Sequence, residues 1–411
     1  MSETSKHETF TPQDPSQVEE VIRWALGAKT PLDVIGRGTK RALGRPVTAA
    51  GAVLDLSGLS GIEVYEAEEL ILTAQAATPL AEVQAALSAQ HQMLAFEPWD
   101  PGPLLGGPAG AGTLGGTILA GLSGPRRIQS GAARDHLLGF KGVSGRGETF
   151  KSGGRVVKNV TGFDLSKLLA GSFGTLAAVT EITCKVLPRP EKARTVLVLG
   201  LDDDQAGQVL RRALASPYEV SAAAHLPERV AAKSEVAYVA GAGASVTAIR
   251  VEGPGLSVAF RCEALQGLLK DYGAVEELHT ENTIRFWREV RDALAFAAPE
   301  FKDSQVWRIS VPPSDGPDVG ARLKNATGGE VFYDWGGGLI WLAHPAAQDA
   351  LADTVRAQIT DTTGHATLIR ADEQVRGSIY VHQPLPAAIA ALSSRVRGAF
   401  DPEGILNPGR M

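Results

Sequence analysis

The chain contains few of the residues that build metal clusters or covalent cross-links. Two cysteines, Cys184 and Cys262, occur among its 411 residues, and they are far apart in the sequence. Two distant thiols supply neither a disulfide framework, nor a CxxC zinc site, nor the four thiolates of an iron–sulfur cluster. Any iron–sulfur centre that works with this chain must therefore belong to another protein.

Basic charge and long apolar runs are also scarce. Lys and Arg number 40 against 46 Asp and Glu, a balance of −6, which offers no general attraction to phosphate backbones. The N-terminus has no apolar run of the kind a secretory signal needs. The uncharged stretch 101–125 holds nine glycines and four prolines, which a lipid-exposed helix tolerates poorly. These absences predict a cytoplasmic globular protein that binds no nucleic acid and does not span a membrane.

Glycine, in contrast, is concentrated in one region. Nineteen of the 46 glycines fall within residues 102–174. Such a density in a chain otherwise rich in apolar residues indicates backbone that takes positive φ or approaches another group closely. We therefore expect a ligand site in this region.

The apolar patterns predict an α+β protein with a boundary near residue 190. In the first part they indicate a helix from Pro15 to about Gly27, strands at 32–35, 52–56, 70–75 and 181–186, and a helix after Pro79. The second part begins again with an apolar strand at 193–201. Further strands are expected at 246–251, 256–261, 305–311 and 338–343, with helices at 263–270 and 348–359 between them.

A short motif follows the first predicted strand, 32–35. The residues Gly36-Arg37-Gly38-Thr39-Lys40 place backbone amides and two cations where a phosphate would bind. The motif is neither the GxGxxG dinucleotide fingerprint nor a Walker A loop. A glycine turn with two solvated cations is the alternative, and the motif alone does not decide between them.

A second glycine element runs from Gly106 to Gly124 without a charged residue. Bare backbone of this kind lets a large planar or diphosphate ligand lie close, and the hydroxyls of Thr113 and Ser123 offer donors. A flexible linker is the alternative reading. The apolar residues Leu114, Ile118 and Leu122 favour the ligand site, because linkers rarely carry residues spaced for packing.

A third element, 158–165 followed by Gly171–Leu176, makes a family resemblance recognisable. Together the three elements resemble the FAD-binding domain of the vanillyl-alcohol oxidase and p-cresol methylhydroxylase superfamily. More narrowly, Gly115-Gly116, 121–127, 158–165 and the tail 406–410 resemble the FAD-binding E subunit of bacterial glycolate oxidase. The resemblance is good over about 12–190 and the tail, and poor in the middle of the second half.

The resemblance implies a two-domain α+β flavoprotein. Residues 1–190 would form a FAD-binding domain of the p-cresol methylhydroxylase type, and 191–411 an α+β cap domain whose tail returns to the first. Covalent members of the superfamily carry a histidine in the first glycine loop, where this chain has Thr39 and Lys40, so non-covalent FAD is implied.

The same resemblance assigns cofactor contacts to three ranges. Residues 35–41 would hold the pyrophosphate, 107–113 with 120–123 would follow the diphosphate and flavin, and 173–179 would add backbone contacts. The cofactor-binding residues expected on this basis are Ile35, Gly36, Arg37, Gly38, Thr39, Lys40, Gly107, Pro108, Gly112, Thr113, Gly115, Gly116, Ala120, Gly121, Leu122, Ser123, Gly174, Thr175, Leu176 and Val179.

Substrate residues are harder to identify. Related 2-hydroxy-acid dehydrogenases carry clustered histidines and a Glu-His pair, whereas His344, His365 and His382 stand alone here, so no metal site and no catalytic residue are assigned. Arg288, in the segment 283–291, either binds a carboxylate or belongs to an exposed helix with inward aromatics. Arg126 and Arg127 either contact phosphate or are solvated.

The resemblance also implies partners. A sister FAD-binding subunit would oxidise glycolate, and an iron–sulfur subunit would carry electrons to the membrane, which places this chain at the inner membrane only through its partners. The alternative is a self-sufficient FAD-dependent dehydrogenase of its own small 2-hydroxy acid, similar to a D-lactate dehydrogenase. A flavin-free structural subunit is disfavoured because the glycine elements are intact.

Overall fold

The computed structural model describes residues 8–47, 50–154 and 162–411. Within these ranges the backbone forms eighteen strands and fifteen α-helices, with four short 3₁₀ segments. The strands are β1 (Glu8–Phe10), β2 (Leu32–Ile35), β3 (Ala52–Asp55), β4 (Ile62–Glu66), β5 (Ile71–Gln75), β6 (Gln92–Met93), β7 (Leu137–Ser144), β8 (Thr149–Gly153), β9 (Ala177–Lys185), β10 (Leu187–Pro188), β11 (Lys192–Leu199), β12 (Val220–Leu226), β13 (Val246–Gly253), β14 (Ala274–Leu278), β15 (Gln305–Ser310), β16 (Glu330–Asp334), β17 (Leu339–His344) and β18 (His365–Arg370). The helices are α1 (Pro15–Ala28), α2 (Leu80–Ala89), α3 (Leu114–Leu119), α4 (Arg127–Ser130), α5 (Ala133–His136), α6 (Leu165–Leu169), α7 (Asp203–Leu214), α8 (Glu228–Ala231), α9 (Ala237–Ala240), α10 (Gly255–Leu269), α11 (Thr280–Asp292), α12 (Gly316–Thr327), α13 (Ala352–Ala357), α14 (Glu373–Ser378) and α15 (Ala387–Phe400).

The chain begins with a small parallel sheet in the order β1-β3-β2. Helix α1 packs its apolar face on this sheet through Val18, Ile22 and Ala25, all fully buried. The helix begins where the sequence predicts, because the Asp14 carboxylate accepts the backbone N–H groups of Ser16 and Gln17 and Pro15 occupies the first turn. This packing fixes β2, whose C-terminal end opens into the glycine loop.

A five-stranded antiparallel sheet, β4-β5-β9-β7-β8, follows. Helices α2 and α3 contribute to its core, in which Leu72, Phe96, Ile118 and Ile182 are almost completely buried. Because α3 belongs to this core, the second glycine element is fixed structure and not a linker.

The second half forms one antiparallel sheet of eight strands, in the order β14-β11-β13-β12-β16-β17-β15-β18. One face is covered by helices that include α7, α10, α12 and α13, through two apolar clusters. The opposite face meets the first half of the chain, where Trp99, Leu104 and Leu122 pack with Trp335 and Trp341 in one continuous core. The eight-stranded sheet therefore lies against the glycine-rich region.

The C-terminal tail returns to the first sheet. Leu32 donates its N–H to the carbonyl of Ile405 (2.7 Å), and Asn407 donates its N–H to the carbonyl of Leu32 (3.0 Å). The buried carboxylate of Asp401 accepts the N–H groups of Ile405 and Leu406 and holds the turn that makes this approach. The tail thus extends the edge of the sheet at β2.

One predicted strand is wrong. Residues 256–261 alternate apolar and polar residues but form the first turns of α10. The helix buries Val258, Cys262 and Leu265 at spacings of four and three, and it leaves Leu256 and Phe260 exposed to water. Two of the three large apolar residues of this alternation, Leu256 and Phe260, therefore lie on the solvent side, and Pro254 at the N-cap begins the helix.

The helices in the described ranges are all too short or too polar for a bilayer crossing.

Candidate cofactor site

A cleft of about 790 Å³, partly open to solvent, lies beside the C-terminal end of β2. Its walls come from the loop after β2, the start of α3, residues 173–174 and the C-terminal tail.

Twelve of the residues expected from the sequence line this cleft. Gly38 turns the chain with a φ of 68°, and Gly174 does the same with a φ of 72°, so both loops present backbone to the cleft. The twelve are Ile35, Gly36, Arg37, Gly38, Thr39, Lys40, Thr113, Gly115, Gly116, Ala120, Gly174 and Val179.

The structure places the other eight outside the cleft wall. Gly107 closes an exposed turn by donating to the carbonyl of Gly102, and Ser123 accepts the N–H of Ala133. Leu122 and Leu176 belong to apolar cores. Gly112 lies beside a lining residue, since a Cβ there would stand 3.0 Å from the Lys40 ammonium. The eight are Gly107, Pro108, Gly112, Gly121, Leu122, Ser123, Thr175 and Leu176; residues 158–161 of the third element lie outside the described residues.

Two side chains of the tail 406–410, which are not among the expected cofactor contacts, complete the cleft. The Asn407 amide accepts the N–H of Val34 (2.7 Å) and donates to the carbonyl of Phe173 (2.8 Å), so it joins β2 to the loop before Gly174. Arg410 donates to the carbonyls of Lys40 and Arg41. Further lining residues without a sequence signal are Asp33, Val34, Leu56, Ala76, Ala77 and Leu119.

The cleft is cationic. Burial lowers the pKa of the Lys40 ammonium to about 8, although Asp100 opposes the shift. Burial also lowers the pKa of Arg410, to about 10. Among the described lining residues Asp33 is the only acid, and it pairs with Arg41. Positive charge therefore exceeds negative charge among the described lining residues, which suits the binding of an anion.

A side chain at either of two glycines of the cleft would press on groups that line it. A Cβ at Gly116 would stand 3.0 Å from the Thr113 hydroxyl and 3.5 Å from the Lys40 ammonium. A Cβ at Gly36 would stand 3.1 Å from the same hydroxyl. A glycine-lined space between cations fits the diphosphate of a dinucleotide, as FAD requires.

A second cationic group lies where the eight-stranded sheet faces the first half of the chain, with Arg127 in α4 and Arg308 in β15. The guanidinium carbons of Arg127 and Arg308 stand 4.5 and 4.6 Å from the centroid of the Trp335 ring. Neither guanidinium forms an ion pair with a carboxylate in the described ranges. Burial, together with the charge of Arg127, lowers the pKa of Arg308 to about 10, and burial raises the pKa of the nearby Asp334 to about 7.

The structure also shows the surroundings of the other arginines considered. Arg288 forms an exposed ion pair with Glu235 (2.7 Å), and Trp287 is buried and donates to the Thr195 hydroxyl, as expected for a helix with inward aromatics. Arg126 is neither solvated nor free for phosphate, because it pairs with Glu252 at 2.6 Å in a buried cluster.

The isolated histidines remain apart. His344 is buried and contacts the carbonyl of Pro345, and His382 packs on Phe173. Burial lowers the pKa of both imidazoles, that of His382 to about 4. In the part of the chain that the structure describes, no three His, Cys, Asp or Glu side chains are grouped to hold a metal ion.

Comparisons with known proteins agree with this geometry. Residues 8–153 match the family described as "FAD binding domain". The chain is 36% identical over 394 residues to the glycolate oxidase subunit GlcE of Escherichia coli K12, covering 95% of each, and 24% identical over 424 residues to the subunit GlcD of Bacillus subtilis, covering 98% and 88%. A structure of p-cresol methylhydroxylase with bound substrate superposes with a TM-score of 0.75 at 15% identity, covering 98% of this chain and 88% of that one. The fold is thus of the p-cresol methylhydroxylase type, the cofactor is FAD, and the chain belongs to the GlcE family of glycolate oxidase subunits, which are FAD-dependent oxidoreductases.

Proposed function

We propose that this chain is the FAD-binding E-type subunit of a glycolate oxidase assembly. The assembly oxidises glycolate to glyoxylate, with a sister FAD-binding subunit and an iron–sulfur subunit as partners. The similarity to GlcE along 95% of both chains carries the proposal. The two buried, separate cysteines cannot hold a cluster, so the iron–sulfur centre of this assembly would belong to a partner. On this proposal the chain is cytoplasmic and reaches the inner membrane only through its partners.

Residues 1–190 then serve as the FAD-binding domain and 191–411 as the cap. The three-, five- and two-stranded sheets fall within the first range, and the eight-stranded sheet falls within the second. The cap face toward the first half, with Trp335 and Trp341, covers the segment that contains Ala120. The tail supplies Asn407 and Arg410 to the cleft from the other end of the chain.

The cleft residues have distinct roles in holding FAD, which supplies the two-electron redox chemistry when bound. The loop of Gly36 to Lys40 receives the diphosphate, with Lys40 and Arg37 as counter-charges. Gly116 and Ala120 give the cofactor a path along bare backbone. Asn407 fixes β2 and the loop before Gly174, which flank this path, through its hydrogen bonds to Val34 and Phe173.

The affinity for FAD is expected to fall as the pH rises above 8. The pKa of Lys40 is about 8 without ligand. A bound diphosphate favours the ammonium form and raises that pKa, so protons are taken up on binding. We expect the dissociation constant, from fluorescence titration of apoprotein with FAD, to be flat near pH 7 and to increase by up to about tenfold per pH unit between the two pKa values.

Two variants control this experiment. Lys40→Arg keeps the charge throughout the range and should bind FAD with little pH dependence, since guanidinium groups do not titrate there. Lys40→Met should bind weakly at every pH. An unchanged slope in both variants would remove Lys40 from the phosphate site.

The isolated chain loaded with FAD is expected to remain oxidised when mixed anaerobically with glycolate. The described ranges show no grouping of acid–base residues at the cleft that could take the hydroxyl proton of a substrate. Stopped-flow absorbance near 450 nm should stay constant for the chain alone and bleach in the complete assembly. Fast stoichiometric bleaching of the chain alone would overturn the subunit proposal.

The second candidate function is the self-sufficient 2-hydroxy-acid dehydrogenase. Arg127 and Arg308 favour it, because two guanidiniums without a carboxylate partner around Trp335 suit the carboxylate of such a substrate. On this reading Arg308→Met should raise the half-saturating glycolate concentration by about 10- to 150-fold, which corresponds to the roughly 1.5–3 kcal/mol of a charged hydrogen bond. If the chain is instead an E-type subunit, Arg308→Met should leave the half-saturating glycolate concentration of the assembly unchanged. Arg288→Met is the matched control and should leave that concentration unchanged in both cases.

A further inference from the structure

Residues 384–392 form an apolar ledge on the surface, at the start of α15. All nine are exposed, and none carries a polar or charged side chain. Leu385, Ile389 and Leu392 are 53%, 49% and 48% exposed. Ile389 and Leu392 are three residues apart in α15 and share one of its faces, and Leu385 precedes the N-cap Pro386. An exposed stripe of this kind is typical of a surface that another molecule covers.

The ledge is held in place at both of its ends. Before it, Val381 is buried, and its carbonyl accepts the N–H of Leu368 in β18. After it, α15 continues to Phe400, which packs on Phe150 at the edge of the five-stranded sheet. None of the residues of α15 is buried. The ledge is therefore a helix start presented to the outside and not a segment of the core.

The charged residues near the ledge indicate what kind of molecule covers it. Residues 374–400 contain three arginines and no Asp or Glu. Two of the three, Arg395 and Arg397, are exposed on α15, and Arg146 is exposed beside them and donates to the carbonyl of Ala399. None of these three forms an ion pair within the described residues. The covering surface should therefore carry carboxylates next to its apolar part.

A second copy of this chain does not meet that requirement. A two-fold contact would pair the ledge with the same patch of the other copy. Arginines would then face either arginines or the uncharged ledge, and no carboxylate from residues 374–400 would face them. A lipid surface is also disfavoured, since four of the nine residues are alanines and only three are large. Alanines instead let a helix of another protein approach toward the short end of the 8–10 Å range.

We propose that the apolar ledge is the docking site for a helix of another subunit of the glycolate oxidase assembly, with an apolar stripe edged by carboxylates. This proposal rests on the proposed function as a subunit, and it adds which surface makes the contact. The surface is independent of the FAD cleft, whose lining residues include none of 384–392.

The test uses the full chain, tagged and co-expressed with the sister FAD-binding subunit and the iron–sulfur subunit. The variant Ile389→Glu with Leu392→Glu should retain at least tenfold less of the partner subunits, with FAD content and melting temperature unchanged. Leu256→Glu is the matched control, because Leu256 is 92% exposed on α10, and it should assemble like the wild type. Arg395→Glu with Arg397→Glu should weaken assembly about tenfold at low salt and less at high salt, while Arg285→Glu should not.

Other outcomes would overturn the proposal. The proposal fails if the wild type assembles with the partner subunits and the ledge variant assembles equally well. If the isolated wild type dimerises in light scattering and the assembling ledge variant does not, a second copy covers the ledge. If the wild type sediments with phosphatidylglycerol–phosphatidylcholine vesicles and the assembling variant does not, a membrane covers it. If the wild type itself captures neither subunit, the proposed function fails first.

Discussion

The variant Gly116→Val is expected to contain less than a tenth of the FAD of the wild-type protein. A Cβ at this position would stand 3.0 Å from the Thr113 hydroxyl and 3.5 Å from the Lys40 ammonium, so a β-branched side chain would displace groups that line the cleft. The variant also disturbs the N-cap of α3, in which Gly116 donates to Thr113 (3.1 Å). Acid precipitation followed by absorbance of the supernatant measures the flavin, which non-covalent binding releases completely.

The matched control for this prediction is Gly267→Val. Gly267 also lies in a helix, α10, and a Cβ there meets no atom within 4 Å. This variant should keep its full FAD content, and circular dichroism should show both proteins folded. A folded Gly116→Val protein with normal flavin would show that Gly116 is a packing residue and that the cofactor path lies elsewhere.

The first wall of the cleft could be predicted from the sequence because its signals are local. The strand that ends at Ile35 and the glycines that follow it are adjacent in the chain, and the structure brings them to the cleft in that order. The same holds for Thr113 to Gly116, where the N-cap hydroxyl and the glycines lie within one helical turn. Local conformational demands are what residue patterns record.

The opposite wall could not be predicted in the same way. Asn407 reaches Val34 across more than 370 positions, and no periodicity or turn signal encodes such a contact. The helix α10 shows a related difficulty, because alternation and helical spacing coexist in 256–262 and only the position of the core decides between them. Residues that are brought together by tertiary packing leave little trace in a single sequence.

The surroundings of Arg126 differ from both predictions made from the sequence. The guanidinium neither contacts phosphate nor faces solvent, because its partners are Glu97 and Glu252, from a different loop and a different sheet. Arg250 completes the cluster by donating to both oxygens of Glu97, at 2.8 and 2.9 Å. Four charged side chains thus connect the eight-stranded sheet to the loops at Glu97 and Arg126. An arginine after a glycine run gives no indication of this arrangement.

The variant Glu97→Gln is expected to lower the free energy of unfolding by about 3–5 kcal/mol, because it leaves Arg250 buried without its bidentate partner. Urea unfolding measures the change, and Glu235→Gln is the control. Glu235→Gln breaks an exposed ion pair, in which the side chain of Arg288 is 49% exposed and that of Glu235 is 56% exposed. The free energy of unfolding of this variant should fall by no more than about 1 kcal/mol.

The same carboxylate should govern part of the acid sensitivity. Burial opposes ionisation of Glu97, but the charge and hydrogen bonds of Arg250 outweigh it and hold its pKa at about 2. An unfolded glutamate titrates near a pKa of about 4.3, so this contribution to stability is complete above that pH and is lost as the pH falls toward 2. Wild-type stability should therefore decline between pH 4.5 and 2 more steeply than that of Glu97→Gln. Parallel curves, with the variant as stable as Glu235→Gln at pH 7, would mean that the cluster contributes nothing net and that apolar packing around Trp335 and Trp341 alone holds the sheet in place.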